Sequence, residues 1–418
     1  MQEVERRVLD MIDVEGLLTT LADLIAIRSL GGQETPAQEY VAQFMDRLGM
    51  DVDVWALDFD VLGQHPAFSM EIERPGALGV AGALGEGGGQ SLILNGHVDV
   101  VPAGDEARWR YRPWQATVAE GRVYGRGTCD MKGGLACALH AAKAIHDAGV
   151  ELQGQLFIES VVGEEDGGVG TLAAVLRGYR ADGAVVVEPT DLAVAPAQAG
   201  ALSFRVTVPG LSAHGCVREE GVSAIEKFFP IQQALSDLER ARNQTAPHPL
   251  YARYQLPYAL CIGRVEAGDW ASSVADWLVF QGRYGVAPGE NLARARRQFE
   301  QAIAQAAQAD PWLREHPPTV EWRGGQFAPA SIPADHPLVG ILTDAYGEAT
   351  GTPSRVEGMT YGADMRLLVN EGQTPTVLFG PGDVRCSHRP NEFVPVDDLL
   401  TATQTLALAT VRFCGGVS

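Results

Sequence analysis

The residues able to do chemistry in this 418-residue chain are histidines and carboxylates placed at or just beyond short apolar runs. SLILNGHVDV ends in His97 and, two positions on, Asp99; GRGTCDMKGG presents Asp130. QLFIESVV leads into Glu164, Glu165 and Asp166, AVVV into Glu188, and PTVLF through GPG into Cys386, Ser387 and His388. Such an inventory suits two divalent metal ions sharing a carboxylate, with about two further ligands each and one more carboxylate to take a proton from water. Such an arrangement activates a water molecule for attack on a polarised bond.

Every piece also has a plainer reading. Residues two apart on a strand share a side, so Asp99 can reach one imidazole nitrogen of His97 and leave the other for a metal, yet the pair fits an ordinary His–Asp contact equally well. The Glu-Glu-Asp run also fits a solvated turn, Glu188 before a proline fits a strand cap, and His388 among Arg and Pro fits an exposed loop. Their joint placement at strand ends is what favours a site.

The elements that must position them follow from hydrophobic pattern. Apolar runs at 91–100, 155–162, 184–187 and 375–379 read as buried strands separated by helical stretches, the order of a mainly parallel α/β sheet, which gathers ligands outside the carboxyl ends of its strands. Two helices are predicted within 13–50, the second opened by Thr35-Pro36, and another over 131–148. Further strands are predicted at 51–57 and 67–73, with AGALGEGGGQ as a turn and Trp109–Tyr124 as a loop; GRGTCDMKGG lacks the order of a phosphate-binding loop and reads as a loop presenting Asp130. Between about 200 and 327 the pattern becomes βαββαβ, with strands at 201–208, 257–265, 277–286 and 318–323 and helices at 221–242 and 290–309, which suits a ferredoxin-like unit. The expected organisation is a catalytic domain in two parts, 1–199 and 328–418, interrupted by an inserted domain at 200–327.

Composition bounds the partners. A formal charge of −21 argues against nucleic acid and against an anionic membrane surface, and no stretch approaches a membrane span. The six cysteines are scattered without a C-x-x-C pair and fit reduced thiols; with an N-terminus lacking the apolar core of a secretory signal, a cytoplasmic location is expected.

Taken in order, GHVDVVP, YGRGTCDMKGG, GEEDGGVGT, VVVEPT, SAHG, and FGPG with SHRPNEFV closely resemble the two-zinc hydrolase family of aminoacylase, acetylornithine deacetylase, succinyl-diaminopimelate desuccinylase and carboxypeptidase G2, the M20-type metallopeptidases. The resemblance covers nearly the whole chain, 90–400 most clearly. It implies an α/β fold with a mainly parallel-sheet zinc-hydrolase catalytic domain, an inserted ferredoxin-like lid and dimerisation domain, and a homodimer. It also implies two divalent metal ions, zinc in the first place with cobalt or manganese as alternatives. Carried over residue by residue, it makes His97 and Glu188 ligands of one metal, Glu165 and His388 ligands of the other, and Asp130 the bridge. Glu164 becomes the general base, Asp99 the partner of His97, and Asp130-Met131 a cis peptide bond.

His214, in GLSAHG, becomes a hydrogen-bond donor to the developing oxyanion in a neighbouring subunit's site. Three places depart from the family or stay open: Trp270 stands in GDWASSVAD where many relatives carry Asn, Ala363 in GMTYGADMR where Ser or Thr often precedes the Asp, and Arg283 in QGRYGVAPGE is either a partner for a substrate carboxylate or an exposed lid arginine. The implied substrate is a small N-acyl amine, its acyl group removed from the nitrogen of an amino acid or similar molecule. Alternatives are a carboxypeptidase or dipeptidase, and a related hydrolase deaminating an aromatic amine. A binding protein that kept the fold but lost catalysis would be expected to lack one of the five ligands or Glu164, and all are present.

Overall fold

The computed structural model describes residues 2–244 and 248–417. The chain forms two compact units, one of Met1–Ala197, Ser331–Met359 and Ala363–Ser418, the other of Gln198–Ala330 and Thr360–Gly362.

The first unit is built on a nine-stranded sheet whose middle is parallel. Ser91–His97 lies between Gln155–Val161 and Gly183–Val186, parallel to both, and Thr376–Leu378 continues the parallel run beside Gly183–Val186. Antiparallel strands flank this core: Leu78–Leu84 then Asp51–Ala56 on one side, Val194–Gln198 on the other. Leu92, Ile93 and Leu94 are all buried, as a parallel strand covered on both faces requires, and this is why these strands read as unbroken apolar runs. Truncating one of them to Ala would cost about 2–5 kcal/mol. Lys132–Asp147, buried over most of its length, packs against Ser91–His97 and against the C-terminal helix Val396–Cys414. No described helix is long and apolar enough to cross a membrane.

Register decides where the chemistry collects. His97 pairs with Val161 and Asn95 with Val186, so the segments after Val161 and Val186, carrying Glu164, Glu165 and Glu188, leave the sheet beside His97.

Three expectations are corrected. Residues 67–73 form no strand: the backbone N–H groups of Glu71 and Ile72 donate to Asp166 Oδ2 at 2.9 and 2.7 Å, and Arg74 pairs with Glu34 and Asp166, so a carboxylate takes the donors a neighbouring strand would have used. The glycine-rich AGAL stretch is not a turn but belongs to the strand Leu78–Leu84; a Cβ on Gly82 would lie 2.6 Å from Met45 Sδ, so glycine lets a helix pack close to this strand. The stretch Trp109–Tyr124, read as a loop, contains strands Thr117–Ala119 and Arg122–Tyr124, and Phe393–Pro395 pairs with the latter.

In the second unit the strand order is Leu260–Ala267, Trp277–Val286, Gly200–Pro209, Thr319–Phe327, all neighbours antiparallel, with helices Ala224–Gln244 and Leu292–Ala309 packed together. This is the ferredoxin-like unit expected from βαββαβ order. Its core is aromatic, with Phe204 and Phe299 ring centroids 4.6 Å apart and Phe280 and Tyr284 fully buried.

Candidate metal centre

His97 is the last residue of its strand and fully buried. Its Nε2 lies 3.2 Å from Asp130 Oδ1, while Asp130 Oδ2 lies 3.3 Å from His388 Nε2, so the two oxygens of one carboxylate face two imidazoles. His388 Nε2 also lies 3.0 Å from Glu165 Oε2. Glu164 Oε2 and Glu188 Oε1 are each 3.9 Å from His97 Nε2. Asp130 precedes the Asp130–Met131 cis peptide bond, and His388 takes φ = +58°, a left-handed backbone that a histidine adopts only where surrounding structure imposes it.

These contacts define two groups with ligand atoms within 4.8 Å of one another, His97 with Glu164 and Glu188, and His97 with Asp130 and Glu165. Among the described residues the only cationic partners within ion-pair distance of the four carboxylates are His97 and His388. Burial followed by the neighbouring Glu188 pushes the Glu164 carboxyl well above its usual range, and burial followed by Asp130 does the same to Glu188. Burial opposes a charge on His97, but Asp99 and Asp130 outweigh it and hold its pKa well up; Asp130 and then Glu165 push His388 to about 11. Glu164 Oε1 is buried with no hydrogen-bond partner among the described residues. The donor set therefore fits divalent cations: imidazole and carboxylate are the ligand types zinc takes, and the positive charge these oxygens lack is what such ions bring.

The sequence pattern of Peptidase family M20/M25/M40 matches residues 93–412. The chain belongs to this family. A deformylase of N-formyl-4-amino-5-aminomethyl-2-methylpyrimidine from Halalkalibacterium halodurans is 32% identical over 402 residues, covering 90% of this chain and 89% of that protein. An acetylornithine deacetylase from Myxococcus xanthus is 30% identical over 347 residues, covering 82% of this chain and 86% of the other. A di-peptidase from Saccharomyces cerevisiae superposes with a TM-score of 0.77 over 99% of each chain at 14% identity, a likeness of fold alone. The protein is thus an M20 amidohydrolase, from a family that is typically metal-dependent.

The remaining predicted residues of this M20 chain are placed less simply. The Asp99 carboxylate does not make the closest contact to His97: Nδ1 lies 2.9 Å from the Asp99 backbone carbonyl and 3.6 Å from its Oδ1. The carboxylate, two residues beyond the last strand residue His97, instead accepts the backbone N–H groups of Glu164 and Glu165 at 3.2 and 3.1 Å. His214 and Arg283 belong to the second unit. His214 is exposed, its Nδ1 accepting from Cys216 N, beside the turn carrying Trp270, which is 75% exposed. Arg283 is half-buried rather than an exposed lid arginine, and donates to the Thr360 carbonyl at 2.9 Å. Asp364, in GMTYGADMR, is fully buried and accepts from Thr171 Oγ1 at 2.6 Å. Sequence reasoning missed Glu392, a buried carboxylate behind the Asp130 loop, whose only local signal is its place in SHRPNEFV.

Proposed function

We propose that this M20 amidohydrolase removes a small N-acyl group, formyl or acetyl, from the nitrogen of an amino acid or comparable small amine. In this reading it works as a cytoplasmic homodimer with two divalent metal ions per subunit, zinc in the first place and cobalt or manganese as alternatives. The observation that carries the reading is Asp130 offering one oxygen to His97 and the other to His388 inside a group of carboxylates that no lysine or arginine neutralises among the described residues. The two relatives named by deformylation and deacetylation, each at least 30% identical over most of the chain, support an N-acyl substrate in preference to a peptide.

His97 and Glu188 would hold one ion, Glu165 and His388 the other, with Asp130 shared. When bound, such ions polarise an amide carbonyl and bring the pKa of water near neutrality. Glu164 takes the proton of the attacking water on its carboxylate and delivers it to the leaving nitrogen, one group serving both steps. Asp99 holds the Glu164–Glu165 backbone, and His214 of the partner subunit donates a hydrogen bond to the developing oxyanion. Arg283, which pairs with no carboxylate among the described residues, is the group we assign to a substrate carboxylate.

The test measures amine release from N-formyl-4-amino-5-aminomethyl-2-methylpyrimidine, N-acetylornithine, N-succinyl amino acids and dipeptides, with zinc, cobalt or manganese added, alongside elemental analysis. The expected result is metal content approaching two ions per chain and a higher kcat/KM for an N-acyl amine than for any dipeptide. Turnover of dipeptides alone would overturn the deacylase reading. Failure to bind any of the metals would overturn the site.

A further inference from the structure

Glu392 is fully buried, four residues beyond His388, and one of its oxygens does unusual duty. Oε1 accepts the backbone N–H groups of Gly127, Cys129 and Asp130 at 3.0, 2.9 and 3.1 Å. Gly127 takes φ = +84°, the left-handed turn that lets the loop curl its N–H groups around a single acceptor. Oε2 pairs with Arg126 Nη1, itself buried, and Arg126 Nη2 donates to the Pro102 carbonyl at 3.2 Å, in the loop that follows His97 and Asp99. The guanidinium lies 5.3 Å from the Trp109 ring, and the Glu392 backbone carbonyl accepts from Gly125 N at 3.1 Å. One buried ion pair thus joins the His97 loop, the Asp130 loop and the His388 loop.

We propose that Glu392, set by Arg126, is the positioning residue for Asp130: by fixing the backbone on which Asp130 stands, it keeps that carboxylate's two oxygens directed at two different imidazoles. The inference rests on the reading of Asp130 as a shared metal ligand. Neutral substitution separates the cradle from its charge. Glu392→Gln keeps an oxygen for the three N–H groups but turns an amide donor toward Arg126; adding Arg126→Met removes that conflict.

The experiment compares wild type, Glu392→Ala, Glu392→Gln and Glu392→Gln/Arg126→Met by metal affinity in competition with a chelator, by the visible absorption of the Co(II)-loaded proteins, and by kcat and KM. Loss of an outer partner of a metal ligand weakens metal binding about 10–100-fold, and we expect that loss in Glu392→Ala. A shifted Co(II) spectrum and a fall in kcat larger than any rise in KM should accompany it. The double variant should regain most of the affinity and the wild-type spectrum. A double variant as weak as Glu392→Ala overturns the proposal, as does a Glu392→Ala protein with wild-type affinity and spectrum. If Glu392→Ala does not fold, Glu392→Gln carries the test, expected to be weaker than wild type and stronger once paired with Arg126→Met; no difference between those two overturns it. Wild-type protein that takes up no divalent metal would remove the underlying reading, whereas metal-binding wild type with indifferent variants removes only this inference.

Discussion

Replacing Asp99 tests whether the Glu164–Glu165 turn is held from behind. The Asp99 side chain is almost wholly buried and accepts two backbone N–H groups, at 3.2 Å from Glu164 and 3.1 Å from Glu165. Hydrogen bonds to a charged group contribute about 1.5–3 kcal/mol each, so Asp99→Ala would remove about 3–6 kcal/mol and strand two donors. That approaches the whole stability of many proteins, about 5–15 kcal/mol, so Asp99→Asn is the informative change. Asn keeps one acceptor and sets its amide against the other N–H, for an expected loss of about 2–3 kcal/mol. Urea denaturation of the metal-free protein measures that loss, and chelator competition measures the metal, expected to bind about 10–100-fold more weakly as Glu165 loses its backbone anchor. An Asp99→Asn protein within about 0.5 kcal/mol of wild type and with unchanged metal affinity would refute the bracing argument. Unchanged stability with weakened metal binding would instead return Asp99 to the orienting role on His97.

Glu164 and Glu188 stand equally far from His97, 3.9 Å each, so distance alone does not separate base from ligand; Glu164→Gln should retain metal and lose at least about 100-fold in kcat, whereas Glu188→Gln should lose metal, and equal metal loss in both would sink the assignment. His140, packed beside Phe44 with Nε2 against Thr20 Oγ1, has its pKa pushed down from 6.5 to about 4 by burial. Above pH 6.5 it is neutral folded or unfolded, and as pH falls toward 4 only the unfolded chain takes the proton, so stability drains away, by about 2–3 kcal/mol at pH 4.5. His140→Gln should lack that share of the acid sensitivity in urea titrations at pH 7 and 4.5, and parallel behaviour of the two proteins would contradict it. If His214 serves the partner's site, mixing His214→Ala with Glu164→Ala chains should restore up to about half a wild-type dimer's activity per mixed dimer, since one site then carries both groups. No recovery after demonstrated subunit exchange rules that out.

Much of this was legible in the chain itself. The strands Ser91–His97, Gln155–Val161 and Gly183–Val186 announce themselves because burial on both faces demands uninterrupted apolar residues, and chain direction alone then places whatever follows them at one edge of the sheet. The candidate ligands could be named for that reason, as carboxylates and imidazoles lying at the end of such a run, beyond it, or within a glycine-rich loop. What tertiary structure decided are the interactions between residues far apart in sequence. Asp166 taking the donors of residues 71 and 72, Met45 demanding glycine at position 82, Asp99 serving the Glu164–Glu165 backbone, and Glu392 gathering three amides of a loop more than 260 positions away all depend on segments brought together only by folding. A hydrogen bond to a distant backbone imposes no periodicity on its neighbours in sequence, so a buried carboxylate that organises a loop reads, until the chain is folded, like any other acidic residue.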